Sequence, residues 1–156
     1  MSRKKLSQKR PIRPDSTYNS QLVSMFMNRI LKKGKKSLAQ RIFYQAMEKI
    51  QETTQQEPLS ILQEAIQNVT PTVEVKSKRV GGSTFQVPRQ VPEDRGTALA
   101  LRWLLEAARS RSERGIISKL ANEILDASNN TGNAFRKKQE IHRMAEANKA
   151  FAHYRF

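Results

Sequence analysis

The sequence predicts a mainly α fold: a single bundle of about six helices with one protruding β-hairpin between the third and fourth helices. Two patterns carry this reading. Apolar residues recur every three or four positions through most of the chain, and between about residues 72 and 91 the spacing drops to two around a Gly-Gly pair. A third observation concerns the N-terminus. Residues 1–14 hold six basic residues (Arg3, Lys4, Lys5, Lys9, Arg10, Arg13), no acid, and both Pro11 and Pro14. Such a segment has too little apolar surface to order itself, so residues 1–17 read as a disordered basic arm and 18–156 as one helical domain.

Each element has its own signal. Asn19 or Ser20 can cap a first helix in which Leu22, Phe26 and Ile30 recur every fourth residue. Gly34 is expected to end it, with Lys32 and Lys33 in a last turn favoured by the helix dipole. A second helix places Leu38, Ile42, Ala46 and Ile50 on one face. Pro58 suits the first turn of a third, which buries Leu62, Ala65, Ile66 and Val69. Val73 and Val75 then alternate with Glu74, Lys76 and Lys78, as a strand requires. Gly81 and Gly82 supply the positive backbone angles of a two-residue hairpin turn, and Phe85, Val87 and Val91 line the return limb. Pro88 confines that limb to an edge. A hairpin of two strands is marginal alone, so this one is read as a basic arm. Helical spacing resumes at Leu101, Leu104, Leu105 and Ala108, and Arg95, Arg102 and Arg109 fall on one face at seven-residue intervals. Ser110 with Glu113 matches a capping box for a fifth helix carrying Ile116, Leu120 and Ile124. After the break at 129–133, a sixth helix from about Ala134 to Asn148 turns Ile141 and Ala145 inward.

A chain of 156 residues buries roughly 70% of its unfolded surface, enough for a core without staples. It has no cysteine, which excludes disulfides and thiolate metal sites and fits a reducing compartment. No apolar run approaches the ~18 residues of a membrane span. Residues 1–10 lack the apolar stretch of a secretory signal.

Charge decides the class of partner. Twenty-nine Lys and Arg against 14 Asp and Glu leave a net +15, which a polyanion would relieve. Aromatic residues make up only 6%, so phosphate contact matters more here than base stacking. The charge is blocked rather than spread. Residues 29–41 hold six basic residues and no acid, 42–69 sum to −3, 93–126 balance at six and six, and 136–156 return to +4. A merely solvated surface would intersperse the signs.

Catalytic patterns are missing. Gly34-Lys35-Lys36-Ser37 lacks the preceding glycine of a phosphate-binding loop, since position 29 is Arg29. His142 and His153 stand eleven apart without the neighbours of a metal site, and Asp15, Asp94 and Asp126 are the only aspartates. Trp103 sits in an apolar stretch and reads as core. No metal, cofactor or enzymatic activity is expected.

Several stretches, in collinear order, resemble a known family. Residues 15–46, with Phe26-Met27 before Gly34-Lys35-Lys36 and then Ile42-Phe43, are similar to the signature of small-subunit ribosomal protein seven of the bacterial and organellar type. Arg79-Val80-Gly81-Gly82-Ser83-Thr84-Phe85-Gln86-Val87-Pro88 resembles that family's hairpin, and 99–108 its Ala-Leu-Arg-Trp helix. Residues 142–155 resemble its C-terminal helix. Glu93 and Asp94 beside Arg95 depart from the more basic run often found there. The chain also stops at Phe156, where some members carry a longer tail.

The resemblance implies a structural protein of the small ribosomal subunit. It would be a primary binder of the 3′ major domain of small-subunit rRNA that nucleates head assembly. Its place would be near the exit tRNA site and mRNA exit path, beside small-subunit ribosomal protein eleven and other head proteins. Carried over residue by residue, rRNA contact falls to Arg3, Lys4, Lys5 and Arg10, to Lys35 and Lys36, to Lys76, Lys78 and Arg79, to Arg95 and Arg102, and to Lys137 and Lys138. Gly81, Gly82, Arg143, Lys149 and Arg155 fall on the side of tRNA and mRNA. The family occurs in bacterial cytoplasm and in organelle stroma, and the many Lys, Ile, Asn and Gln residues lean toward a plastid. Two rival readings are a helical DNA-binding or chromatin-like protein and an RNA-modifying enzyme. No helix-turn-helix pair with a base-reading face stands out for the first, and no acid/base cluster for the second.

Overall fold

The computed structural model describes residues 11–154. Arg3, Lys4, Lys5, Arg10 and Arg155, and residues 1–10 of the segment 1–17 read as a disordered arm, lie outside the described residues. Six helices and one hairpin follow in the order α1 (Gln21–Ile30), α2 (Lys36–Thr54), α3 (Pro58–Val69), β1 (Val73–Val80), β2 (Ser83–Gln90), α4 (Glu93–Ser110), α5 (Ile116–Ser128) and α6 (Gly132–Ala147). A 3-10 segment, Lys149–Tyr154, follows α6.

The centre of the bundle is α5, which packs against α2, α3, α4 and α6. Its Leu120, Ala121, Ile124 and Ala127 are fully buried, and the alanines let neighbouring helices approach closely. Around it, Phe26, Phe43, Met47, Ile50, Leu62, Leu101 and Leu104 are also fully buried, each contributing about 1.5–3 kcal/mol over exposure. Phe26 and Phe43 meet edge to face with centroids 5.9 Å apart, joining α1 to α2. Trp103 is core, at 5% exposure. Pro58 stands at the start of α3 and Leu62, Ala65, Ile66 and Val69 are buried along it, as the spacing requires.

Within the segment preceding α1, Asp15 is buried. Its carboxylate accepts the Tyr44 hydroxyl at 2.8 Å and the Thr17 and Tyr18 amides at 3.1 and 3.2 Å. The chain is therefore tied to α2 from Asp15 onward.

Three local expectations are corrected. First, α1 ends at Ile30, because Leu31 leaves helical angles and packs against the core. Lys32 and Lys33 consequently lie in a loop, and Gly34 (φ 73°) serves a turn rather than a helix end. Second, the inner face of α2 is Ala39, Phe43, Ala46, Met47 and Ile50; Leu38 is 41% exposed and Ile42 half-buried. Ala46 and Ile50 are buried as the count from Leu38 requires, but Ala39 and Phe43 take the places expected of Leu38 and Ile42. Third, Ser110 caps nothing. It is the last residue of α4, donating to the Ala107 carbonyl at 2.8 Å, and α5 begins only at Ile116 after Gly115.

The reason for that third departure is a buried ion cluster. Glu123 of α5 is fully buried and accepts Arg111 Nε at 2.7 Å and the Ala134 amide at 2.9 Å. Arg111 also donates to Asp126, and to Glu113 at 3.3 Å, while Asn122 donates to Glu113 at 2.7 Å. Arg111 thus draws the α4–α5 connection into a loop over α5. Burial opposes its charge, but the hydrogen bonds to Asp126 and Glu123 prevail and its pKa is raised. Glu123 at once satisfies an orphan donor in the first turn of α6 and places an anion at that helix's positive end. Gly132 is required there: its φ is 86°, and a Cβ would lie 3.0 Å from Glu123 Oε1.

The hairpin is antiparallel, with Val80 opposite Ser83 and Val73 opposite Gln90. Gly81 and Gly82 take φ of 56° and 89°, the positive angles of the predicted turn. Pro88 pairs opposite Val75 in β2, and with only two strands its missing donor costs no ladder bond on the outer edge. Among the described residues, the strand backbones pack on α6 and on the 3-10 segment, and Glu74 of β1 also reaches Arg95 of α4.

Candidate nucleic-acid interface

The acid-free run at residues 29–41 and the arginines of α4 converge. Arg95, Arg102 and Arg109 are all exposed along one face of α4, and α1 packs beside it. A hollow of about 450 Å³ between the two helices is lined by Arg29, Arg95 and Arg102, with Asp94 as its one acid. Toward the other end of α4, a groove of about 420 Å³ has Lys32, Lys33, Lys35 and Arg109 around an apolar floor that includes Leu38, Ile42 and Ile116. No acid lines it. Lys36 and Arg13 line a third, polar hollow of about 490 Å³ beside Asp15, Asn28 and Gln40. The first two hollows lie along α4 and gather basic residues distant in sequence into one face.

The start of α2 sharpens that face. Its first turn has no acid and no side-chain cap, while Lys35 and Lys36 occupy the N-cap and first position. Lysine there opposes the helix dipole and lowers helix stability, an arrangement that an anion would offset. Of the residues expected to contact rRNA, Lys35, Lys36, Arg95 and Arg102 lie at these hollows, together with Arg29, Lys32, Lys33 and Arg109, which were not among them. Their signals were the acid-free run and the seven-residue arginine spacing.

Other candidates are engaged elsewhere. Arg95 shares Glu74 with Arg89: Arg95 Nη2 lies 3.0 Å and Arg89 Nη2 2.5 Å from that carboxylate. Burial raises the Glu74 pKa, but hydrogen bonds from Arg95 and Arg89 outweigh it and hold the carboxyl below its ordinary value. The counter-ion of Arg95 is therefore Glu74, not its neighbours Glu93 and Asp94, which sit in the first turn of α4 where the dipole favours acids. Lys137 is 2.7 Å from Glu106 and 5.9 Å above the Trp103 ring. Exposed pairs of that kind are weak and exchange partners easily. Lys138 is held more firmly, donating to the Asn68 carbonyl at 2.7 Å near the end of α3, and desolvation lowers its pKa.

In the hairpin, Lys76 and Arg79 are exposed, Lys78 is half-buried, and Gly81 and Gly82 stand exposed at the tip. Arg143 and Lys149 are exposed at the C-terminal end of α6 and just beyond it. Another stretch of the surface differs in sign. Glu48, Glu52, Glu57 and Glu64 on α2 and α3 are all exposed, and Lys49 turns away to donate to Ser118 at 2.8 Å.

His142 has a structural task. Its Nε2 accepts the Thr72 amide at 3.2 Å, linking α6 to the root of β1. Burial, with repulsion from Lys138 added, lowers its pKa below 6.5. The unfolded chain then binds the proton more readily than the folded one. The stabilisation is complete above about pH 6.5 and is lost as pH falls through the lowered folded value. Lowering pH from about 7.5 to about 5.5 should therefore speed exchange at the Thr72 amide, after correction for intrinsic rates. His142→Gln, which keeps an acceptor, should remove that excess.

Among the described residues there is no group of three or more His, Cys, Asp or Glu side chains able to hold a metal ion. No helix among them is long and apolar enough to cross a membrane.

Comparison with known proteins identifies one family. Residues 2–149 match the family model described as ribosomal protein S7p/S5e. The chain is 64% identical to small ribosomal subunit protein uS7c of Ostreococcus tauri over 156 residues, all of both chains. It is 58% identical to small ribosomal subunit protein uS7 of Acaryochloris marina over the same full length. With uS7c of Nephroselmis olivacea the identity is 57% over 155 residues, 99% of each chain. A match of this extent and identity makes the chain a member of the ribosomal protein S7p/S5e family.

Proposed function

We propose that the chain clamps small-subunit rRNA within the 3′ major domain and nucleates assembly of the subunit head. The observation that carries this is the basic face where the α1–α2 connection meets the arginines of α4. Backbone phosphates supply most of the affinity, each neutralised phosphate releasing counterions. An RNA duplex hides its major groove, so specificity comes from the shape of the RNA and the spacing of its phosphates. The rigid bundle fixes that spacing on the protein side, and Lys76 and Arg79 reach a second RNA segment from the hairpin.

The exposed tip at Gly81 and Gly82, with Arg143 and Lys149, faces exit-site tRNA and mRNA in this reading. Small-subunit ribosomal protein eleven and other head proteins are its protein neighbours. With chloroplast and cyanobacterial relatives, its setting is a plastid or bacterial ribosome. The residues support no base-reading helix pair of a duplex DNA binder.

Competition binding tests the proposal. Labelled 3′ major-domain rRNA is titrated at about 50 and 200 mM salt, against duplex DNA and unrelated structured RNA. For six to ten phosphate contacts the affinity should fall ~10³–10⁵-fold between those salts, while rRNA remains preferred at both. Equal competition by all three polyanions would leave charge alone as the basis of binding.

A further inference from the structure

We propose that Phe151 is a positioning residue for RNA contact: the 3-10 segment after α6 latches the hairpin through it and fixes where the hairpin tip points. This deepens the proposed function and rests on the hairpin touching RNA there. Phe151 packs against Phe85 of β2 with ring centroids 5.2 Å apart and planes at 45°. Phe85 lies only three residues beyond Gly82, so this contact holds the outer part of the hairpin rather than its root.

Other ties lie nearer the root. Val91 donates to the Thr72 carbonyl at 3.0 Å, closing the hairpin, and Thr72 donates to His142. Glu74, gripped by Arg89 and Arg95, holds the second residue of β1 to α4. Contacts near the root constrain the outer half of a two-stranded arm less than its base, because such a ribbon twists and bends readily. Among the described residues, the helices of the bundle other than α6 do not pack along the strands. The 3-10 segment packs on β2 and, together with α6, sets the hairpin's direction.

The consequence is energetic rather than chemical. Neither ring carries charge or meets RNA in this scheme. Their packing orders Lys76 and Arg79 before RNA arrives, so binding does not have to supply that ordering. Losing the latch should weaken affinity without changing the number of phosphates neutralised.

The chain has no cysteine, so a spin-label pair can be placed without removing any residue. Labels at Thr84→Cys in the hairpin and Gln51→Cys on α2, both exposed positions, report the hairpin's direction in the full-length protein without RNA. The expected result is one narrow distance distribution, broadened by Phe151→Ala and by Phe85→Ala, and restored by Phe151→Tyr. In unlabelled protein, Phe151→Ala should weaken rRNA binding roughly 3- to 10-fold with the salt slope unchanged. The double variant should lose no more than either single one. An unbroadened distribution in Phe151→Ala would overturn the latch. A broadened distribution with unchanged rRNA affinity would overturn its positioning role. The distance measurement needs no RNA, so a failure of the rRNA reading itself would show separately, as loss of rRNA preference in the wild-type protein.

Discussion

Replacing Lys35 and Lys36 together by Glu should weaken rRNA binding by about 100- to 1,000-fold near 0.1 M salt. Two phosphate contacts are lost and two repulsions replace them, so the salt slope should also flatten by about two contacts. The fold should not suffer. Both side chains are exposed, and the first turn of α2 has no acid to complement its dipole. Glu at the first helical position favours that dipole by ~0.3–1 kcal/mol. Thermal unfolding of the double variant should occur at or slightly above the wild-type midpoint while filter binding to rRNA collapses. Wild-type affinity in a stably folded variant would remove both lysines from the RNA face.

The largest effect on stability should come from Glu123→Ala, a loss of ~3–5 kcal/mol in urea unfolding near neutral pH. Glu123 is fully buried at the meeting of α5, α6 and the α4–α5 loop, and truncation leaves two groups without it. Arg111, mostly buried, loses its deepest partner, and the Ala134 amide in the first turn of α6 loses its acceptor. A domain of this size has ~5–15 kcal/mol in all, so the variant should be close to unfolding. Glu123→Gln keeps an acceptor for one of those donors and should cost less. A loss below ~1 kcal/mol for the alanine variant would mean that Asp126 and Glu113 hold Arg111 without it.

These two predictions differ in how readily sequence reveals them. Lys35 and Lys36 were legible because a run of basic residues without acid is a local property. The hairpin was legible for the same reason: two-residue alternation around Gly81-Gly82 specifies a turn type without reference to the rest of the chain. Glu123 was invisible. In an amphipathic helix a lone Glu reads as a solvated position, and its partners are Arg111, twelve residues earlier, and the Ala134 amide, eleven later. Only packing brings them together. The false capping box at Ser110 and Glu113 has the same origin, since the motif was present but Arg111 takes the segment elsewhere. Glu74 pairing with Arg95 across 21 residues is a third example.

The face of α2 shows a subtler limit. Counting every fourth residue from Leu38 picks out Ile42, Ala46 and Ile50, yet the buried stripe also takes Ala39, Phe43 and Met47 and leaves Leu38 out. A helical stripe drifts with the 3.6-residue turn, so strict spacing of four strays from it within two or three turns. At the interface, convergence of Arg29 and the 32–35 loop with α4 required knowing that α1 packs beside α4. The individual basic residues could be read from sequence; the shared face could not.

The most direct test of the account is tethered hydroxyl-radical cleavage of bound 3′ major-domain rRNA from single cysteines, using the natural absence of cysteine. Probes at Ser37→Cys, exposed next to Lys35 and Lys36, and at Ala98→Cys, lining the hollow between α1 and α4, sit at the basic face, and probes at Gln51→Cys and Gln63→Cys at exposed positions among the glutamates of α2 and α3. The account predicts strong, localised RNA cleavage from the first pair and little from the second. Comparable or stronger cleavage from Gln51→Cys and Gln63→Cys would contradict it, because the RNA would then lie along the acidic side of the bundle.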